Sequence, residues 1–148
     1  MKYKSIIFLF ISSILLSSCV NNSLNSYQKN KLVALKQQNQ GNYIEEKKVG
    51  LAITLGLLPG GGSFYTRHPV AGVLNLLTWP VSILWDPFNG YNASQEINYY
   101  ASVNHLKRVE KLELDNLEDQ FVQKQISEKF YFVEKSRIKK KYDLDYIE

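Results

Sequence analysis

Three groups of residues have the types that chemistry uses. Ser63, His68 and Asp86 supply a hydroxyl, an imidazole and a carboxylate, the parts of a nucleophilic acyl-transfer set. Gly60-Gly61-Gly62 offers backbone amides of the kind that cradle phosphates, and Cys19, the sole cysteine, offers a thiol. The first two fail on spacing. Any chain of this size can supply a Ser-His-Asp set, and His68 between Arg67 and Pro69 reads as a turn residue. No Gly-Lys-Ser/Thr follows the glycine run, so the phosphate-loop pattern is missing. Paired carboxylates of glycosidase type need a pocket, whereas the acidic residues here scatter along a charged helical segment. His68 and His105 lack zinc-ligand spacing, so neither a metal nor a cofactor is expected. Lys2 and Lys4 account for two of the net +4 charges, leaving +2 from Cys19 onward. That is too little for a phosphate-binding face, and no nucleic-acid partner is expected.

What remains is the thiol, and its context is specific. Lys2 and Lys4 form a basic start, Ile6–Leu16 is an apolar run, and Ser17 and Ser18 lead into Cys19. The run is too short for a bilayer core, which needs ~20 apolar residues, so residues 1–18 read as an export signal. Leu16-Ser17-Ser18-Cys19 resembles the lipobox of bacterial lipoproteins. That resemblance implies cleavage between Ser18 and Cys19, with acylation of the Cys19 thiol and of the new amino terminus by membrane-resident lipid. Two or three acyl chains at ~0.8 kcal/mol per buried CH₂ make release from the membrane negligible. Residues 19–48 continue as a segment rich in Asn, Gln, Ser and Lys, expected to be a mobile tether. A short helix near Lys29–Gln38 is the alternative.

The rest of the chain is arranged around Val49–Phe88. This stretch carries all four prolines, both tryptophans and a single formal charge, Arg67, before Asp86. It is expected to be an apolar hairpin with arms Val49–Tyr65 and Val70–Trp85, hinged at Thr66–Pro69. Gly56 and Gly60 have the small-xxx-small spacing that lets helices approach closely, and Gly72 is expected to serve the same contact. Pro59 with Gly60-Gly61-Gly62, and Trp79-Pro80, should kink or split the arms. Seventeen residues reach roughly 25 Å, short of a ~30 Å hydrocarbon core. A strained span, a re-entrant hairpin and half-helices in one leaflet all satisfy that length, as does a buried helical pair. If the arms do span, only Thr66–Pro69 faces the cytoplasm. Tyr65, Trp85 and Tyr91 are expected at the headgroup level.

The series Gly61, Gly62, Ser63, Phe64, Tyr65, Gly72, Leu76-Leu77 and Ser82–Asp86 resembles the short two-transmembrane-segment domain family over Leu55–Phe88. It departs from that family at Ser63 and at Thr66-Arg67. The resemblance implies a membrane-embedded hairpin without a catalytic role, in which Phe64, Tyr65, Trp85 and Asp86 belong to the helix ends.

Residues 89–148 form a mixed-charge amphipathic arm. Asp86-Pro87 and Asn89-Gly90 read as a turn, followed by helices over Ala93–Leu112 and Asn116–Val133 with a break at Asp115-Asn116. Phe130–Val133 also fits a short strand. Leu112, Leu117, Phe121, Ile126 and Phe130 make an apolar stripe expected to meet a partner, either an envelope protein or a second copy. The basic cluster Arg137–Lys141 reads as a solvated face.

The fold class expected is thus mainly α: a lipid-anchored chain with a short apolar helical hairpin and an amphipathic helical arm. The function expected is that of a small non-catalytic bacterial envelope lipoprotein facing the periplasm or cell exterior, its membrane left open. The alternatives are a soluble periplasm-facing adaptor held only by its acyl chains and, more remotely, an envelope hydrolase.

Overall fold

A computed structural model describes residues 23–38 and 41–147. Among them the protein is mainly helical and has no strand. The leader, Ser18 and Cys19 lie outside the described residues. The elements in order are α1 (Ser26–Gln37), α2 (Val49–Gly56), α3 (Gly61–Tyr65), α4 (Pro69–Leu77), a 3-10 helix at Val81–Leu84, α5 (Asp86–Val122), α6 (Glu128–Tyr142) and a 3-10 turn at Leu144–Tyr146. Two compact units result, Leu24 with Glu46–Ile97 on one hand and Asn25–Glu45 with Asn98–Glu148 on the other.

In the first unit the two expected arms give way to four short segments. Pro59 and Gly60 end the first arm early, Gly60 taking a left-handed φ of 69° that a side chain would disfavour. Pro80 lacks an amide hydrogen and separates α4 from the 3-10 helix. The turn expected at Asp86–Gly90 is helical instead, because proline is tolerated in a first turn and Pro87 sits there.

Within the segment 19–48, expected to be a mobile tether, the second unit corrects that expectation for residues 25–38. Asn25 accepts from the Gln28 amide at 2.9 Å while Gln28 Oε1 accepts from the Asn25 amide at 3.0 Å, a reciprocal capping box that starts α1. Ala34 and Leu35 of this helix are buried with Leu106 and Leu117 of α5 and with Tyr131, Ile138, Tyr142 and Ile147. Lys31 Nζ donates to the Ile147 carbonyl at 2.9 Å, and Tyr27 Oη donates to Asp145 at 2.7 Å. The segment therefore has enough apolar surface to order, but only against residues far along the chain.

α5 runs 37 residues without the break expected at Asp115-Asn116. Asn116 spends its side chain on Gln120 at 2.8 Å along the helix surface, and Leu114 and Leu117 on either side pack into the core. The strand alternative for Phe130–Val133 also fails. Ser127 caps α6 by accepting from the Phe130 amide at 3.3 Å, and Tyr131, Ile138 and Tyr142 then share one buried helical face.

Glu113 of α5 accepts from Lys141 Nζ at 2.8 Å and from Tyr142 Oη at 2.6 Å, tying α5 to α6. Burial alone would raise its carboxyl, but these two hydrogen bonds outweigh it and hold the group below its ordinary 4.5. The folded value is depressed, so its stabilisation is present above pH 4.5 and fades as pH falls through that lowered value. Both ends are partly exposed, so the pair contributes only ~0.2–1 kcal/mol. Acid titration followed by near-ultraviolet circular dichroism should show this small loss in the wild type and a reduced one in Glu113→Gln. Identical acid profiles would remove Glu113 as a fastener.

Candidate functional site: a polar core in an apolar shell

In Glu46–Ile97 the usual arrangement of side chains is inverted. The buried hydrophobic residues there are Ala52 and Ala93, both small. The other buried positions are glycines or polar: Ser63, Thr66, Asn75, Ser82, Asp86 and Ser94. The large apolar side chains face outward, with Val70 and Leu77 75% exposed and Leu84 and Phe88 70% exposed. Soluble folds hide such residues, and an exposed polar-free face of this kind calls for an apolar neighbour.

The polar core is a connected network. Ser63 Oγ donates to Asp86 Oδ1 at 2.5 Å, and Asn75 Nδ2 donates to the same oxygen at 2.7 Å. Asn75 Oδ1 accepts from Trp85 Nε1 at 2.9 Å, and the Asn75 carbonyl accepts from Ser82 Oγ at 2.8 Å. Four segments are thus fastened through one asparagine and one carboxyl group. Asp86 Oδ2 is the buried side-chain oxygen that stays without a partner among the described residues. Every other hydroxyl of serine or threonine in this unit is also used internally: Thr54 to Gly50, Thr66 to Gly62, Thr78 to Leu74 and Ser94 to Tyr91, each through a backbone carbonyl.

The glycines make this closeness possible. A Cβ on Gly56 would fall 2.5 Å from Pro87 Cα, and one on Gly62 would fall 2.9 Å from Gly56 Cα. One on Gly90 would meet the Ala52 carbonyl at 2.7 Å, and one on Gly72 would meet the Phe64 ring at 2.7 Å. Gly61 packs beside Leu55. α2, α3 and the start of α5 therefore touch backbone to backbone.

The residues singled out in the sequence distribute unevenly. Gly56, Gly60, Gly61, Gly62, Phe64, Gly72, Trp85 and Asp86 all belong to this packed unit. Trp85 turns its polar edge inward to Asn75. Tyr65 Oη accepts from the Lys48 amide at 3.0 Å. Ser63 and Asp86 meet directly, and the Ser63 hydroxyl, 2% exposed, is committed to that carboxyl rather than presented to a substrate. No group of three His, Cys, Asp or Glu able to hold a metal occurs among the described residues.

The stripe assigned to a partner is partly consumed within the second unit. Leu117 lies in its core, Ile126 packs against that core, and Phe121 stacks on Tyr131 at 4.6 Å. Leu112 and Phe130 remain exposed. In the basic cluster Arg137 pairs with Glu134 at 3.2 Å, Lys141 with Glu113, and Lys140 lies 4.7 Å over the Tyr146 ring. These contacts fit a solvated face.

Asn75 was not among the residues singled out, and Ser82 entered only within the Ser82–Asp86 series of the family resemblance. A signal for them exists: Asn75, Thr78 and Ser82 follow i, i+3, i+7 spacing inside an otherwise apolar arm. Compared with protein-family models, curated proteins and solved structures, the chain matches none.

Proposed function

We propose that the protein is a small non-catalytic lipoprotein of the bacterial envelope, with two modes of membrane attachment. Acyl chains on Cys19 supply one, and insertion of the apolar unit Glu46–Ile97 supplies the other. Asn25–Glu45 with Asn98–Glu148 forms a water-facing helical unit on the periplasmic or exterior side. It offers Leu112 and Phe130 to an envelope protein or a second copy.

The observation that carries the membrane reading is the contrast between the two units. The second has an ordinary core of Leu35, Leu106, Leu117, Tyr131 and Ile138. Within the Glu46–Ile97 stretch of the first no large apolar side chain is buried, and its hydroxyls, amide and carboxyl are turned inward. In water, burial contributes about 25 cal/mol per Å² of apolar surface, and this unit leaves most of that surface outside. In hydrocarbon the preference reverses: apolar groups face lipid and every polar group needs an internal partner. Among the described residues no helix is long and apolar enough to cross a membrane.

Two measurements test the reading. The wild type should incorporate a clickable fatty acid, and Cys19→Ser should lose that label. The mature chain carrying Cys19→Ser, exported behind an ordinary cleavable leader, should then stay in the membrane through carbonate extraction. If it washes off, the acyl chains are the whole anchor and the water-facing adaptor reading replaces this one.

A further inference from the structure

We infer that Glu46–Ile97 occupies a single leaflet and leaves the membrane through the face by which it enters it, its occupant being the acyl chains of that leaflet. The inference rests on the membrane reading above and specifies its depth and sidedness. In a two-span hairpin the turn Thr66–Pro69 would lie on the far side from Glu46–Lys48. The geometry brings them together. Arg67 Nη2 pairs with Glu46 Oε1 at 2.6 Å, the Lys48 amide donates to Tyr65 Oη, and Lys47 Nζ sits 4.4 Å over the Tyr65 ring. Lysine, arginine, glutamate and tyrosine at one level are what a headgroup layer accommodates.

The path between these points is short. α2 has 8 residues, α3 has 5 and α4 has 9. At ~1.5 Å per residue the longest reach ~12–14 Å, about half of a ~30 Å hydrocarbon core. The chain runs out along α2, reverses at Leu57–Gly60, and returns along α3 to the charged rim. It runs out again along α4 and comes back along α5, which lies antiparallel to α2, Gly90 beside Ala52 and Pro87 beside Gly56. The end opposite the rim therefore holds Leu57, Leu58 and the segment leading into Asp86, with Leu77, Trp79, Val81 and Leu84. All of these are exposed and none is charged. The unit has one wet end and one dry end, separated by half a bilayer.

Sidedness decides the matter, using the full mature chain in sealed vesicles of known orientation. Single thiols are introduced by Lys47→Cys, Arg67→Cys and Leu77→Cys, with His68→Cys as a second probe of the turn. Labelling by a membrane-impermeant maleimide is read above that of the parent protein. The expected result is that positions 47, 67 and 68 label from the same face, while labelling at 77 is lost until detergent is added. If 67 and 68 label only from the face opposite 47, the unit crosses the bilayer. That outcome overturns the single-leaflet inference while leaving insertion in place. If 77 labels in intact vesicles as readily as 47, the apolar shell faces water, and both readings fall.

Discussion

Gly56→Ala should dismantle the apolar unit, whereas Gly50→Ala on the same helix should leave it intact or slightly firmer. At position 56 the added carbon would lie 2.5 Å from Pro87 Cα, 2.6 Å from Pro87 N and 2.8 Å from Asp86 C. All three are backbone atoms, so no side chain can swing aside. Overpacking costs about 1–3 kcal/mol and occasionally more, and a clash confined to backbone belongs at the upper end. Relief requires α2 and α5 to separate, which also moves Asp86 off Ser63 and Asn75. At position 50 nothing lies within 4 Å of the added carbon, so the change only removes glycine's excess freedom in the unfolded chain. That contributes roughly 0.5–1 kcal/mol in favour of folding. Gly72→Ala falls between them, because its obstacle is the half-exposed Phe64 ring, which can rotate away. Detergent-induced unfolding of the protein in lipid bicelles, followed by tryptophan fluorescence, should order the variants with Gly56→Ala least resistant. Equal resistance of Gly56→Ala and Gly50→Ala would mean that α2 and α5 do not touch.

The sequence made some of this visible and hid the rest for physical reasons. The confinement of proline, tryptophan and most glycine to Val49–Phe88 marked the unit, and the small-xxx-small spacing at Gly56 and Gly60 marked its close contacts. What could not be read locally was whether Pro59-Gly60 kinks a helix or reverses it. Both fit the same residues, and the reversal depends on Gly62 being able to approach Gly56 and Ala52. The same limit applies to residues 25–38. Their sparse apolar residues suffice for order only because Leu106, Tyr142 and Ile147 complete the cluster from far along the chain. Asp115-Asn116 looked like a helix break because short polar residues compete for backbone hydrogen bonds. Burial of Leu114 and Leu117 beside them decides otherwise.

Two rules of construction thus meet in one chain. In Asn98–Glu148, helical stripes such as Tyr131, Ile138 and Tyr142 bury apolar groups, and charges point outward, as water demands. In Glu46–Ile97 the stripe that faces inward is the polar one, Asn75 and Ser82 with Ser63 and Asp86. Reading both segments with the aqueous rule places the second correctly and the first inside out. That is why the apolar arms invited a helical-pair core as one alternative, and why the network at Asn75 escaped notice.

Asp86→Leu should be the most damaging polar-to-apolar change in the protein, and its cost should not simply add to that of Ser63→Ala. Asp86 is fully buried and accepts from Ser63 and from Asn75 through one oxygen. Leucine fills similar space but accepts nothing, so the Ser63 hydroxyl loses its acceptor and Asn75 Nδ2 is left with Ser63 Oγ at 3.0 Å. The one buried unpaired hydroxyl costs about 1–3 kcal/mol, and the lost Asn75–Asp86 hydrogen bond adds about 0.5–1.5 kcal/mol. In a lipid environment no water replaces the lost acceptor. Asp86→Asn should be far milder: its carbonyl oxygen can stand at the Oδ1 position, and its amide would replace Oδ2, which already lacks a partner. Ser63→Ala alone breaks two hydrogen bonds, the one Ser63 Oγ donates to Asp86 and the one it accepts from Asn75 Nδ2 at 3.0 Å. In the Asp86→Leu background it removes the orphaned hydroxyl but also takes the last acceptor from Asn75 Nδ2. The double variant should therefore depart from the two single costs added together, because the Ser63–Asp86 bond can be lost only once and Asn75 Nδ2 loses both acceptors only in that chain. The same bicelle unfolding experiment reads all four chains. Additive costs for Ser63→Ala and Asp86→Leu would separate the two side chains energetically, and an Asp86→Asn variant as weak as Asp86→Leu would show that the acceptor oxygen is not what holds the segments together.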